Sequence, residues 1–343
     1  LIDPAVGSGH ILVEAYDLFR AIYLERGYTK REAARTILTK NLFGLDIDDR
    51  AAQMAGFALL MKACADDRTV LRSPPKLNVL ALQDSERLDA DVLAKALLPQ
   101  ERFEMVPSGD LWPETLSQPN LSAHQPTSKE AKAIKALVTL FDGAKTFGSL
   151  ITVPDSVMQS LPLLDVLLAK PLTGDLLLRQ AQEDAQEALK PLVEQAQLLG
   201  DQYDCVVANP PYIGGKGMNP RLKNYLQDNY ADVKSDVFAA FIVRDTLFAK
   251  PNGQLGFMSP FVWMFISSYE KLRGFLLDEK TITSLVQLEY SGFDGATVPI
   301  CTFTVANSYN PDFKGGYVRL SDFRGSENQA PKTREAVANP ECG

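Results

Sequence analysis

The chain has 343 residues, 45% hydrophobic and 23% charged, with a formal net charge of −8. This length supports a sizeable core. The composition excludes disordered, collagen-like and membrane-embedded classes, and the acidic balance argues against a surface that coats nucleic acid nonspecifically while leaving room for a local basic groove. With only 2 His there is little scope for histidine metal sites or histidine acid–base catalysis, and the 4 Cys, scattered and without a CxxC pair, fit a reducing compartment rather than a disulfide scaffold or a zinc knuckle.

In chain order, Leu1-Ile2 reads as the end of a buried strand, with no initiator Met and no leading polar tail. Asp3-Pro4-Ala5-Val6-Gly7-Ser8-Gly9 follows as a turn-rich loop. Apolar residues at Ile11, Ala15, Leu18 and Ile22 then give helical spacing from His10 to about Glu25. Thr29 with Glu32 predicts a capping box at the start of a second helix. A short strand ends at Asp46, a helix runs over 50–65, and another strand over 76–82 ends at Gln83-Asp84. This alternation predicts a parallel sheet with right-handed crossovers. Residues 85–202 are far longer than an ordinary connection and read as a mostly helical insertion. Its helices fall over 128–141 and 176–199, the second kinked or broken at Pro191. The insertion is either structural or a contact surface for DNA or a partner. The sheet resumes at 203–208, followed by an amphipathic helix over 235–249, a strand over 253–258, a helix over 269–277 and strands over 284–288 and 299–306. The apolar run 256–265 contains Pro260 and is too short to span a bilayer. The polar tail over 325–343 reads as a linker.

Three features carry chemistry. The glycine loop sits between a strand and a helix, where backbone can approach a ligand closely. It lacks the third glycine of a dinucleotide fingerprint, since Leu12 stands there, so it is either a tight turn or part of a site for a nucleoside-type ligand. Asp46 and Asp84 end successive strands. Each can accept from a nucleoside, Asp46 from ribose hydroxyls and Asp84 from an exocyclic amine, or can cap the following helix, a role for which Asp48 also competes. Asn209-Pro210-Pro211-Tyr212 follows a strand. Two prolines remove two backbone donors and stiffen the loop, leaving the Asn209 side-chain oxygen and the Pro210 carbonyl as fixed acceptors. A ring-conjugated amine is a poor nucleophile. Holding both of its hydrogens favours a pyramidal nitrogen, so no strong base is needed. Tyr212 could stack on the planar ring.

The glycine loop together with Asn209-Pro210-Pro211-Tyr212 resembles motifs I and IV of the S-adenosylmethionine-dependent N6-adenine DNA methyltransferases. More narrowly, Gly7-Ser8-Gly9-His10, the segment Gly44-Leu45-Asp46-Ile47-Asp48, the long insert with Phe141-Asp142-Gly143-Ala144-Lys145-Thr146-Phe147-Gly148, and Ile213-Gly214-Gly215 after the Asn-Pro-Pro-Tyr loop resemble the adenine methyltransferases of bacteriophage-exclusion (BREX) systems. The resemblance implies an α/β, Rossmann-like S-adenosylmethionine-dependent methyltransferase fold with a helical insertion, acting in the bacterial cytoplasm. Asp3, Ala5, Gly7 and Gly9 would hold the methionine side of the cofactor, Asp46 its ribose, Ile47 its adenine ring and Asp84 its amine. Asn209, Pro210, Pro211 and Tyr212 would hold a target adenine flipped from duplex DNA. Phe293 would stack on that base, unless it is a core residue. Lys216, Arg221 and Lys223 would meet phosphates, unless they form a solvated face. Other proteins of a phage-defence complex are expected partners; no metal and no membrane is expected. The expected division is 1–84 on the cofactor side, 85–202 as insertion, 203–310 on the target-base side and 311–343 as a linker, the whole being an internal piece of a longer enzyme that carries its target-recognition domain downstream. An RNA base amine, a protein glutamine amide and a non-catalytic recognition role stand as alternatives.

Overall fold

The structure is a computed structural model that describes residues 1–98, 128–290 and 298–339. It divides into two compact units: Leu1–Leu82, Ala144–Thr152 and Leu198–Gly343 form one, and Gln83–Gly143 with Val153–Gln197 form the other.

The first unit is built on one sheet. Its strands are β1 (Ile2–Asp3), β2 (Phe43–Asp46), β3 (Asn78–Ala81), β4 (Tyr203–Ala208), β5 (Ala249–Pro260), β6 (Thr281–Gln287), β7 (Ile300–Ala306) and β8 (Gly316–Arg319). Their order is β3-β2-β1-β4-β5-β7-β6-β8. Every strand runs parallel except β7, which pairs antiparallel with both β5 and β6. The central strands lie between helices on both faces, so they read as apolar runs. Ile2, Leu45, Val206 and Leu255 are all buried.

The helix His10–Glu25 buries Leu12, Ala15 and Tyr16. The face expected from Ile11, Ala15, Leu18 and Ile22 is corrected here, because Leu18 is 64% and Ile22 44% exposed. The buried stripe is rotated towards Tyr16, whose hydroxyl donates to Asp66 at 3.0 Å. The capping box holds: Thr29 Oγ accepts from Glu32 N and Glu32 Oε2 accepts from Thr29 N. Asp48 caps the helix Asp49–Cys64. The helix Val237–Phe248 differs from the amphipathic pattern expected of it. It is buried almost all round, its polar Arg244 and Asp245 included.

The tail also differs from expectation. Residues 316–319 pair with β6 as a parallel edge strand, and Ser326–Ala338 is a helix. Four residues at a sheet edge, with Gly and Arg among them, carry too little hydrophobic alternation to be read from sequence. The helix Pro220–Asn229 is a further addition, although Asn219 caps it and proline holds its first position.

The described residues of the second unit are mostly helical, with Ala90–Leu97, Lys129–Leu140, Leu161–Leu168 and most of Leu176–Gly200. Pro191 lies inside that last helix without ending it. Leu189, Leu192, Val193 and Ala196 are buried around it, and their packing outweighs one lost backbone bond. The insertion is not continuous: Ala144–Thr152 belongs to the sheet unit. Among the described residues no single helix is long and apolar enough to cross a membrane.

Candidate active site

The candidate residues of the sheet unit gather at the carboxyl ends of parallel strands. Asp3 ends β1, Asp46 ends β2 and Asn209 follows β4. Open α/β sheets bind ligands at this edge.

Asp3 is 1% exposed. Its Oδ1 accepts from Ala5 N at 3.1 Å, and its Oδ2 is buried with no partner. Burial pushes this carboxyl up to about 7; the Ala5 N–H pulls the other way and the Asp46 charge adds to the rise. Both oxygens of Asp46 accept backbone bonds, Oδ2 from Gly7 N at 2.8 Å and Oδ1 from Asp48 N at 2.9 Å. Each oxygen keeps a second lone pair for a ligand. The two glycines differ in what they need. Gly7 has φ +53° with open space where a Cβ would stand, so it leaves room for a ligand. Gly9 has φ +86° and a Cβ there would lie 2.8 Å from Ala55 Cα, so its smallness lets the loop pack on the helix Asp49–Cys64. Asp84 belongs to the other unit, where its Oδ1 accepts from Glu86 N at 2.8 Å and Gly143 N at 3.3 Å.

In the Asn-Pro-Pro-Tyr loop, the Tyr212 hydroxyl donates to Asn209 Oδ1 at 2.7 Å, with the Met258 carbonyl an alternative acceptor at 3.2 Å. Burial pushes the phenol up to about 12, so it stays a donor at neutral pH. The Tyr212 ring meets Phe238 edge-on at 6.2 Å. Pro210 is buried and Asn209 is exposed.

The two groups share one cavity of about 310 Å³. Pro4, Ala5, Asp46 and Ile47 line it from β2 and the loops after β1 and β2, and Asn209 and Pro211 from the loop after β4. Leu222, Val237 and Phe241 complete an apolar wall. Ile213 and Thr146 to Leu150, the latter from the short return of the insertion, form the rest, and sequence reasoning gives Thr146 to Leu150 no site role. A signal is present nonetheless, since Leu150-Ile151-Thr152-Val153-Pro154 is a short β-branched run ended by proline between helical stretches. Lys216 and Lys223 are exposed. The Arg221 guanidinium lies over the Phe147 ring at 5.5 Å, beside the cavity. Phe293 lies outside the described residues.

A strand order of β3-β2-β1-β4-β5-β7-β6 with β7 reversed, carrying a glycine loop after β1 and an Asn-Pro-Pro-Tyr loop after β4, is the fold of the Rossmann-like methyltransferase class. Within that class, the profile of the Eco57I restriction-modification methylase family matches residues 40–293, and the chain belongs to this family. It is 39% identical over 346 residues to the adenine-specific methyltransferase BrxX of Escherichia coli O9:H4 (strain HS), covering 100% of this chain and 28% of that protein. It is 31% identical over 343 residues to the adenine-specific methyltransferase PglX of Lacticaseibacillus casei (strain Zhang), covering 99% of this chain and 26% of that protein. The chain thus spans about a quarter of the length of these relatives. Among solved structures it resembles a nuclease-deletion mutant of the Type ISP restriction-modification enzyme LlaGI in complex with a DNA substrate mimic, with a TM-score of 0.49 and 12% identity, over 97% of this chain and 22% of that one.

Proposed function

We propose that this chain is the catalytic core of a DNA methyltransferase that moves a methyl group from S-adenosylmethionine to N6 of a flipped adenine, in bacterial phage defence. The observation that carries the reading is one cavity lined by Ala5, Asp46 and Ile47 on one side and Asn209 and Pro211 on the other. The residues suit the cofactor. The orphaned, buried Oδ2 of Asp3 fits a cationic ammonium, the free lone pairs of Asp46 fit ribose hydroxyls, and half-exposed Ile47 fits a purine face. When bound, S-adenosylmethionine supplies an electrophilic methyl group on a sulfonium.

The chain's own part is to hold the amine. Asn209 Oδ1 has two lone pairs, one taken by the Tyr212 hydroxyl. The other lone pair and the Pro210 carbonyl accept the two N6 hydrogens, so the nitrogen lone pair leaves the ring system and faces the methyl group. The surplus proton then passes from N6 through one of these acceptors to water. The Tyr212 ring stacks on the flipped base, and the loss of duplex stacking costs a few kcal/mol.

The test uses the full-length protein with labelled S-adenosylmethionine and, separately, DNA, tRNA or a translation-factor protein. Label is expected in DNA as N6-methyladenine and is lost in Asn209→Ala. Label only in RNA or protein overturns the reading.

A further inference from the structure

We propose that Ala144–Thr152 is a fixed strap that forms the nucleoside-side wall of the cofactor cavity, and that Arg244 is its positioning residue; this rests on the methyltransferase reading above. Between two stretches of the helical unit, the chain returns to the sheet unit only for these residues. Such a return could be a passive linker, but its centre is buried at Gly148, Ser149 and Leu150.

The strap is a short helical turn, and side chains satisfy the carbonyls at its end, those of Ser149, Leu150 and Ile151. Arg244 Nε donates to the carbonyls of Ser149 at 3.1 Å and Ile151 at 3.2 Å, and its Nη2 donates to Ile151 at 2.9 Å. The hydroxyls of Tyr225 and Tyr230 both donate to the Leu150 carbonyl, at 3.1 and 2.7 Å. Ser149 Oγ donates to the Pro4 carbonyl at 2.6 Å, which ties the strap to the glycine loop itself. Arg244 is 2% exposed, its guanidinium 3.7 Å from the Phe248 ring centroid. Burying that charge is costly, and a leucine or methionine would fill the same core volume. What a guanidinium adds is several donors in a rigid plane, which here fix the strap's carbonyls.

The strap faces one cofactor element closely. Gly148 has φ +58°, and a Cβ there would lie 3.0 Å from Ile47 Cγ2. Ile47 follows the ribose acid Asp46 and is 46% exposed, and both line the cavity with the strap. A glycine is therefore required on the strap at the point where it meets the residue read as the purine platform. The ligand class addressed by this wall is the adenosine moiety, not the methionine end near Asp3.

The experiment measures binding, not turnover. Titrate the full-length protein with S-adenosylhomocysteine and with 5′-methylthioadenosine, which keeps the nucleoside and drops the amino-acid end. Gly148→Ala strains the backbone and presses on Ile47, so both ligands are expected to weaken by the same factor, about tenfold or more. Arg244→Met is expected to weaken both likewise, with faster amide exchange confined to 144–152. That localisation separates a positioning role from a general loss of packing. If Gly148→Ala does not fold, Ser149→Ala, which removes only the bond to Pro4, carries the same expectation in weaker form. Wild-type affinity in the folded variants, or weakening of S-adenosylhomocysteine alone, overturns the strap. A wild-type protein that binds neither ligand overturns the methyltransferase reading and the strap with it.

Discussion

Two residues at the site allow distinct tests. The Tyr212 hydroxyl holds Asn209 Oδ1, so it orients the amide as well as carrying a ring. Tyr212→Phe keeps the ring and removes the donor. The expected result is a fall in kcat with little change in KM for DNA, because the loss appears when the amine must be held in the transition state. Tyr212→Ala should raise KM as well, and a Phe variant with full kcat would leave the hydroxyl without a role. Asp3 gives a pH test. Its folded value of about 7 lies above the ordinary 3.8, so between these values the folded protein binds more protons than the unfolded chain. The contribution of Asp3 to stability is therefore greatest below about pH 4, falls as pH rises to about 7, and is flat above. Asp245, fully buried with both oxygens unpartnered, is also held well above the ordinary range by burial and feels the Asp3 charge, so wild type alone cannot separate them. The difference between wild type and Asp3→Asn in denaturant unfolding across about pH 4 to 8 isolates Asp3 and should show this slope. A cation placed against Oδ2 favours the ionised form, so cofactor binding near pH 6 should release protons, read by calorimetry in buffers of different ionisation enthalpy.

At the scale of elements, the helix Ser326–Ala338 buries one side chain, Gln329. Its Oε1 accepts from Glu289 N at 3.0 Å and its Nε2 donates to the carbonyls of Phe323 and Gly325. Gln329→Ala leaves those groups unpaired and should cost about 1–3 kcal/mol. Limited proteolysis should then cut first within 320–339; an unchanged cleavage pattern would show that packing holds the helix. Elements of this kind are the least legible in the sequence. The β8 edge strand and its helix bury few apolar side chains, so no period marks them. The helix Val237–Phe248 is legible in place but not in character, because its charged pair is buried, and burial of Arg244 is decided by carbonyls distant in sequence. By contrast, Thr29 with Glu32 and Asp48 are legible as caps, because a cap is satisfied within three residues.

At the scale of the whole molecule, the positions of the glycine loop and the Asn-Pro-Pro-Tyr loop are legible because each strand-to-loop junction brings its residue to the same sheet edge, whatever lies between them in sequence. The strap is not, since it reaches that edge from within an insertion. Under the proposed function, this bears on how an acidic chain would meet DNA. Of the three basic residues after the Asn-Pro-Pro-Tyr loop, Arg221 lies over Phe147 of the strap, whereas Lys216 and Lys223 are exposed. Under the proposed function the two lysines are therefore the phosphate candidates, and Arg221 packs on the cavity wall at Phe147. In the full-length protein, replacing both lysines by alanine should weaken binding evenly across DNA sequences and make the slope of log K against log salt shallower by about 2, roughly one for each phosphate left without its lysine. Arg221→Ala should leave that slope nearly unchanged and weaken cofactor binding instead. A slope unaltered by the lysine pair would make them a solvated face, and a slope altered by Arg221→Ala would return the guanidinium to the DNA.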